Sequence, residues 1–403
     1  MKILLHTMYY LPDFGSAPIL MDELARYLAG AGHEVEVVTT LPRQRSAEFR
    51  GLAYTRRAAG NLTVKRFWTN ATPRPLGRLL AWNIYTAGAL LNLFSLRRGG
   101  VLFLRTPPLQ LGLPAFFAKA LRGARVLVNV QDIHPDLAIE SGILTNPAGV
   151  RFAKALERWV YGLADRIAVI SDGFARNLRA KGVPEGKLAV LPNWVDTDFL
   201  RPLPKDNPVS RRLGLQDKFV VMYSGTVSIS SNLALGRVLE AAKLLAGERE
   251  ILFVIVGEGL EKVALRAKAD ALGLKNAAFL PFQPYADLPA LLASSDVLLV
   301  PLDRDKSRLS VPSKLCTCMA AGRPILGLAT PDSEVAAVLR ATDSGPAVPP
   351  DDAAAVAAAV LELKRSPERR REQGGNAREH VVRHFAKDKV LRAYEELLTS
   401  MVS

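Results

Sequence analysis

The chain has 403 residues, of which 49% are hydrophobic and 23% are charged, and its formal net charge is +14. A chain of this length is longer than a single hydrophobic core usually organises, so we expect two globular domains. The positive charge favours an anionic partner, but aromatic residues make up only 7% of the chain. Because the basic residues are scattered, without an aromatic-interleaved patch or a zinc-ligand spacing, we expect no nucleic-acid partner.

The first half alternates short apolar runs with helical patterns. Its first segment, MKILLHTMYY, has too short an apolar run for a signal peptide and is typical of a buried strand. Helical patterns occupy residues 18–31 and 148–163. The predicted strands are residues 2–6, 34–39, 101–105, 125–130, 166–170 and 188–191. This alternation predicts an α/β fold with a doubly wound parallel sheet.

The stretch from Leu79 to Leu96 carries no charged residue and has arginines on both sides. Its length only just reaches that of a membrane-spanning helix, and the polar residues inside it argue against spanning. Two interpretations remain open for this stretch. It is either a helix buried in the first domain or an amphipathic helix docked on a bilayer surface.

A second α/β pattern follows a proline-rich passage at 192–208. Its predicted strands are residues 219–224, 251–256, 277–280, 296–301 and 325–328, and residues 352–400 are helical without a strand. We expect two Rossmann-like domains, at 1–200 and 201–384, and a segment at 385–403 that packs back on the first. Two such sheets are expected to face a central cleft, where the ligand belongs.

In the first domain, candidate residues follow two predicted strands. Gly15 and Ser16 lie at a strand-to-helix turn, where small residues let the backbone approach a ligand. Asp132 directly follows a strand, with His134 close behind, so both are expected at the carboxyl edge of the sheet. A carboxylate and an imidazole there can orient an acceptor hydroxyl or transfer a proton. Bracing of the loop is the structural alternative.

In the second domain, three loops of small residues follow strands: YSGT at 223–226, VGEG at 256–259 and VPSKL at 311–315. Such an arrangement suits a nucleotide diphosphate, with Lys314 as a fixed positive charge and Lys306 and Arg308 as weaker candidates. The alternative for the segment VPSKLCTCMAAGRP is a serine-capped core helix.

Cysteines and acidic residues in the same region bear on redox state and metals. Cys316 and Cys318 lie two apart in a helical pattern, which argues against a mutual disulfide and fits a reducing cytosol. Asp303 and Asp305 form a DxD motif among basic residues, which we interpret as a solvated loop. We therefore expect neither a metal ion nor a cofactor.

Taken in order, several segments resemble the GT-B-fold glycosyltransferases of family 4 over nearly the whole chain. The similarity is strongest to bacterial members that build O-antigen, capsule or colanic acid and transfer fucosyl or N-acetylfucosaminyl groups. The segments that carry it are LPDFGSAP, GHEVEVVTT, RTPPLQLG, QDIHPDLAIESG, VISDGFARNL, LPNWVDTDFLRP, YSGT, VIVGEGLEK, VPSKLCTCMAAGRPIL and SGPAVPPDD.

This resemblance implies a retaining, metal-independent transfer of a sugar from a nucleotide diphosphate-sugar. It places Asp132, with His134, on the acceptor side and Lys314 at the leaving diphosphate. The implied donor-binding residues are Gly15 and Ser16 for the phosphates from the first domain, Gly225 and Thr226 on the phosphate side, Gly257 and Glu258 on the nucleoside side, Phe282 and Gln283 near the base, and Ser313 and Lys314 at the pyrophosphate.

Two departures from the family pattern matter. Many members carry two glutamates eight positions apart, and Leu309 and Thr317 stand at those positions here. Thr317 therefore replaces a ribose-binding carboxylate, and Glu334 is the nearest substitute. The loop at 225–236 also lacks the arginine and lysine that the family uses for the phosphates. Lys314 then carries more of the electrostatic stabilisation.

The acceptor and location follow from the resemblance and the charge. We expect an undecaprenyl-diphosphate-linked or polysaccharide acceptor and a cytoplasmic protein peripheral to the inner face of the cell membrane. An anionic membrane surface would explain both the basic charge and the stretch from Leu79 to Leu96. Two alternatives are a sugar-nucleotide 2-epimerase of the same fold and a non-catalytic, transferase-like scaffold.

Overall fold

The computed structural model describes residues 1–13, 15–42, 47–69, 75–227, 232–304 and 313–402. They form two compact units, residues 1–193 with 390–403 and residues 194–389. Each unit contains its own β-sheet with helices packed against it. The two successive α/β patterns in the sequence therefore correspond to two sheets.

The described part of the first unit has an eight-stranded sheet. Its strands are β1 (Lys2–His6), β2 (Glu34–Thr40), β3 (Tyr54–Ala59), β4 (Leu62–Phe67), β5 (Val101–Thr106), β6 (Arg125–Val130), β7 (Arg166–Val169) and β8 (Leu188–Val190). Their order is β3-β4-β2-β1-β5-β6-β7-β8, and every neighbouring pair is parallel except β3 with β4. Consecutive residues Ile3, Leu4 and Leu5 are fully buried, so both faces of the sheet are covered here.

The sequence analysis did not predict β3 and β4. β3 is almost entirely exposed and carries two arginines, so it lacks an apolar signal. β4 does alternate, since Leu62 and Val64 point to the core, but the run is short and interrupted by charged residues. The antiparallel β3 at the sheet edge is the one departure from a fully parallel sheet among the described strands.

Seven helices complete the described part of the first unit. They are α1 (Ser16–Gly30), α2 (Pro75–Leu91), α3 (Gly112–Arg122), α4 (Asp136–Glu140), α5 (Pro147–Leu163), α6 (Asp172–Ala180) and most of α15 (Lys387–Ser400). Tyr394 of α15 is fully buried, and its hydroxyl accepts a hydrogen bond from the Asn129 side chain at 2.8 Å. The last helix is thereby tied to β6.

The charge-free stretch from Leu79 to Leu96 is split between α2 and a 3-10 turn over Asn92–Ser95. One face of it, with Tyr85 and Ala89, is fully buried in the unit, while Leu91 and Phe94 are exposed. No helix in the described ranges is long and apolar enough to cross a membrane. The stretch therefore contributes to the core with one face and leaves the other apolar face uncovered.

The second unit has a six-stranded sheet in its described part. Its strands are β9 (Phe219–Ser224), β10 (Ile251–Val256), β11 (Ala277–Leu280), β12 (Val297–Pro301), β13 (Ile325–Leu328) and β14 (Ala347–Val348). The order is β11-β10-β9-β12-β13-β14, and all neighbouring pairs are parallel. Val220 and Met222 join one apolar cluster while Val221 and Tyr223 join another, so both faces of β9 are buried.

The helices of the second unit lie between and after these strands. They are α7 (Pro208–Arg212), α8 (Asn232–Leu244), α9 (Lys262–Ala271), α10 (Leu288–Ala293), α11 (Lys314–Ala320), α12 (Glu334–Thr342), α13 (Ala353–Arg365) and α14 (Pro367–His384). Because the strands are parallel, their carboxyl ends meet at one edge of the sheet. The loops singled out in the sequence begin at that edge.

Candidate functional site

The structure brings the donor-binding candidates of the second unit to one edge of its sheet. The parallel strands β9 to β13 all end there, and each is followed by predicted residues. These are Gly225 and Thr226 after β9, Gly257 and Glu258 after β10, Phe282 and Gln283 after β11, Ser313, Lys314 and Thr317 after β12, and Glu334 after β13. A chain of this topology concentrates loop backbone and side chains where a ligand binds.

Glycines let the loops after β9 and β10 pack backbone against backbone. A Cβ at Gly257 would lie 1.9 Å from the Gly225 carbonyl oxygen, and one at Gly259 would lie 2.0 Å from the Val227 carbonyl oxygen. The Val227 N–H donates to the Glu258 carbonyl oxygen at 2.9 Å, which extends the pairing of the two strands. Gly257 and Gly259 are thus required by the loop structure itself, through positive φ and the lack of space.

Lys314, at the start of α11, reaches across to the loop after β9. Its ammonium group donates to the Ser224 carbonyl oxygen and lies 3.9 Å from the centroid of the Tyr223 ring. A Cβ at Gly225 would lie 1.9 Å from the Lys314 Nζ, so this glycine makes the approach possible. Within the described ranges the ammonium has no carboxylate partner. Its charge is therefore available to an anion at this edge.

The helix behind Lys314 is a core helix, as the structural alternative expects, but the serine cap is absent. Ser313 precedes the helix, and its hydroxyl makes no capping hydrogen bond. The hydroxyl of Thr317 donates to the Ser313 carbonyl oxygen at 3.4 Å. Val311 and Pro312 lie outside the described residues.

Cys316 and Cys318 are both free and buried in α11. Burial raises the pKa of each thiol to about 12, which keeps both protonated at neutral pH. They serve as small apolar core residues, and the expectation that they form no mutual disulfide is confirmed.

The nucleoside-side candidates have partners of their own. Glu258 is exposed and forms an ion pair with Lys262 at 2.9 Å. Phe282 is exposed, and its ring edge would contact a Cβ at Gly257. The side-chain oxygen of Gln283 accepts from Arg212 at 3.1 Å. Glu334 is the first residue of α12. Ser333 caps this helix, because its hydroxyl accepts a hydrogen bond from the Ala336 N–H at 3.1 Å.

The interpretation of the DxD motif as a solvated loop is wrong for Asp303. This carboxylate is buried and accepts a hydrogen bond at 2.9 Å from the Ala234 N–H in the first turn of α8. Asp305, Lys306, Arg308 and Leu309 lie outside the described residues. The described part of the chain contains no group of three or more His, Cys, Asp or Glu side chains placed to hold a metal ion.

The first unit places its candidates at the carboxyl edge of its own sheet. Gly15 and Ser16 follow β1, both are exposed, and α1 begins at Ser16. Asp132 and His134 follow β6, two strands away from β1. The sequence analysis missed Arg105, the penultimate residue of the neighbouring β5. Its signal was an arginine near the end of an otherwise apolar strand.

Charge and burial make the region around Asp132 electrostatically distinct. Burial lowers the pKa of Arg105, and the Asp132 carboxylate opposes this by favouring the charged guanidinium. Burial also lowers the pKa of His134, again opposed by Asp132. The Trp82 ring meets the His134 ring edge-on with centroids 6.0 Å apart. A neutral imidazole beside a carboxylate is suited to accept a proton or to position a hydroxyl group.

Asp136, by contrast, has structural partners. Its carboxylate pairs with Lys181 at 2.9 Å and accepts from Asn177 at 3.3 Å. This arrangement holds α4 against α6, and it leaves Asp132 and His134 as the residues of this loop that suit chemistry.

Comparisons with known proteins give relatives for both units. The family described as "Glycosyl transferase 4-like domain" matches residues 19–194, and "Glycosyl transferases group 1" matches residues 209–380. The putative colanic acid biosynthesis glycosyl transferase WcaI of Escherichia coli (strain K12) is 30% identical over 98% of each chain. The probable glycosyltransferase WbjE of Pseudomonas aeruginosa is 26% identical over 66% of each chain.

A similar fold is found among solved structures. Anabaena HepE, crystallised in complex with UDP, superimposes with a TM-score of 0.73 at 16% sequence identity. The match covers 99% of this chain and 100% of HepE. At this identity the likeness shows a shared fold.

Proposed function

The chain belongs to the family 4 glycosyltransferases of the GT-B fold, and from that premise we propose its donor, acceptor and mechanism. It transfers a sugar from a nucleotide diphosphate-sugar to a lipid-linked or polysaccharide acceptor during assembly of a cell-surface glycan. The transfer retains the anomeric configuration and needs no metal ion. The name of one relative, a putative colanic acid biosynthesis glycosyl transferase, supports the assignment to cell-surface glycan assembly.

The observation that carries the proposal is the position of the Lys314 ammonium group. It stands at the carboxyl edge of an all-parallel sheet, beside the Gly225 loop and without a described carboxylate partner. A diphosphate is the ligand that a fixed cation and loop backbone at such an edge bind best. HepE, which shares the fold, was crystallised with UDP and with UDP-glucose, in keeping with this assignment.

The leaving group of the reaction is a nucleoside diphosphate, on which negative charge develops as the glycosidic bond to the sugar breaks. Lys314 stabilises that charge. This contribution replaces the countercharge that a metal ion supplies in other transferases. Glu258, Phe282 and Gln283 would then contact the nucleoside, and Thr317 and Glu334 the ribose and sugar.

The acceptor is assigned to the first unit. Asp132 and the neutral His134 would orient the attacking hydroxyl and take up its proton. An undecaprenyl-diphosphate-linked acceptor places the protein at the inner face of the cell membrane. The net charge of +14 favours that location electrostatically.

The test is nucleotide binding by the full chain. Calorimetric titration with UDP, GDP, CDP, dTDP and ADP, in magnesium and in EDTA, should show one preferred base whose affinity does not depend on the metal. The corresponding nucleotide-sugar is then supplied with a bacterial lipid extract, and the product's anomeric configuration is read by NMR. If none of the nucleotides binds, the proposed donor site is wrong, and the scaffold alternative takes its place.

A further inference from the structure

Helix α3 exposes its large side chains and buries its small ones. Its buried residues are Gly112, Pro114, Ala115 and Ala118. Its exposed large residues are Leu113, Phe116, Phe117 and Leu121. Spacings of three and four residues place the exposed set on one face of the helix. A helix on the surface of a soluble domain normally has the opposite pattern, so this face is built to contact an apolar environment.

Neighbouring helices extend the same apolar face. The ring centroids of Phe116 and of Trp159 on α5 are 6.3 Å apart, and the Arg122 guanidinium lies 5.7 Å from the centroid of the Phe94 ring after α2. Leu91 and Phe94 are each 75% exposed, and Phe152 on α5 is 70% exposed. We define the aromatic surface as Leu91, Phe94, Leu113, Phe116, Phe117, Leu121, Phe152 and Trp159.

The charged residues within the segments that carry the aromatic surface are almost all basic. Residues 75–98, 112–122 and 147–163 contain a single acidic residue, Glu157. That carboxylate is buried and paired with Lys181 at 2.6 Å, so it adds no negative charge to the surface. The basic residues of these segments are Arg78, Arg97, Arg98, Lys119, Arg122, Arg151, Lys154 and Arg158. Two of them have carboxylate partners, since Lys119 pairs with Asp165 at 2.7 Å and Arg97 pairs with Glu34 at 3.2 Å.

We propose that the aromatic surface docks on an anionic phospholipid bilayer. Apolar side chains enter the acyl boundary, while arginine and lysine side chains extend to the lipid phosphates. A second copy of the chain fits less well, because a two-fold interface would set the same arginines against each other. This docking surface rests on the proposed function, because it serves to bring the protein to a lipid-linked acceptor. It is the surface that contacts the membrane.

Vesicle flotation with the full chain tests the apolar contribution. Wild type is expected to float with phosphatidylcholine vesicles that contain phosphatidylglycerol. The triple variant Leu91→Ser, Phe94→Ser, Phe152→Ser should partition at least roughly 100-fold more weakly, since three apolar side chains no longer enter the acyl boundary. The matched control is Leu260→Ser with Val263→Ser, which changes exposed apolar residues of the second unit and should bind like wild type.

The basic residues are tested separately. Replacing Arg151, Lys154 and Arg158 by alanine should weaken binding about fivefold per charge, and only for vesicles that contain the anionic lipid. The control replaces Arg249 and Lys275, exposed cations of the second unit, and should leave binding unchanged. High salt should reduce wild-type binding to the level of the basic variant.

Three results would overturn the proposal. The first is wild-type protein that does not float with anionic vesicles. The second is equal flotation of wild type and the serine triple variant. The third is a wild-type dimer in sedimentation equilibrium that the triple variant converts to monomer, which would make the surface a subunit interface. Calorimetric titration of the same variants with nucleotides reports on the donor site alone. Failure of the proposed donor site is therefore distinguishable from failure of the proposed docking surface.

Discussion

Lys314→Met is the substitution that tests the donor site most directly. The side chain stays unbranched and apolar along its stem, but it loses the charge and the ammonium group that lies over the Tyr223 ring. The ammonium group has one carbonyl partner and an aromatic ring and no described carboxylate partner. A hydrogen bond from such a cation to a phosphate contributes about 1.5–3 kcal/mol. The expected loss of affinity for the preferred nucleoside diphosphate is therefore about 10- to 150-fold.

Stability and binding must be separated in this experiment. Loss of the carbonyl hydrogen bond and the ring interaction is expected to cost about 1 kcal/mol each, which lowers the melting temperature by several degrees. Binding is measured by calorimetry below the melting transition, with Lys268→Met as the control. Lys268 is also in the second unit, but its ammonium pairs with Glu240 at 2.8 Å. A folded Lys314→Met protein with wild-type affinity would refute the phosphate assignment.

Three further predictions follow from single residues. Gly257→Ala should lower the free energy of unfolding by roughly 3 kcal/mol or more, because the residue has a φ of 143° and its Cβ would meet the Gly225 carbonyl oxygen. Urea titration measures this change. The control Gly247→Ala, where a Cβ meets open space, should change the free energy little. Burial lowers the pKa of His6 from 6.5 to about 3. As the pH falls, the His6 imidazole therefore gains a proton in the unfolded state before it does in the folded state. The free energy of unfolding falls as the pH drops below about 6.5. His6→Leu should remove roughly 2 kcal/mol of the difference in stability between pH 7 and pH 5, and equal pH profiles would contradict this. Asp132→Asn should lower kcat about 10²- to 10⁴-fold with nucleotide affinity unchanged; steady-state kinetics with calorimetry decides it, and an unaltered kcat would remove Asp132 from the chemistry.

The strands of both sheets were largely predictable because parallel strands buried on both faces are nearly continuous apolar runs. The predicted strands at 2–6, 125–130, 219–224 and 251–256 coincide with β1, β6, β9 and β10. The edge strands β3 and β14, and β4 beside β3, were missed. They are short, exposed or interrupted by charges, so their pairing depends on a neighbour already in place.

The candidate site was predictable in position but not in its contacts. Parallel topology dictates that loops following strands gather at one edge, which explains why residues as distant as Gly225 and Glu334 lie there. Their roles toward a ligand stay predictions. Three contacts join residues that are far apart in the sequence: Lys314 with the Tyr223 ring, Asp303 with the Ala234 N–H, and Gly257 with Gly225. No local pattern contains that information.

The amino-acid sequence by itself determined the alternation of strands and helices, the two sheets and the family, because these depend on periodicity and on the order of motifs along the chain. It also indicated that Leu79 to Leu96 is apolar. Only the tertiary structure decided which apolar side chains are covered. In α3 the small residues pack inward and Phe116, Phe117 and Leu121 remain outside. Hydrophobicity specifies that a side chain avoids water, whereas the shape of the neighbouring sheet and helices decides whether the protein or another partner covers it.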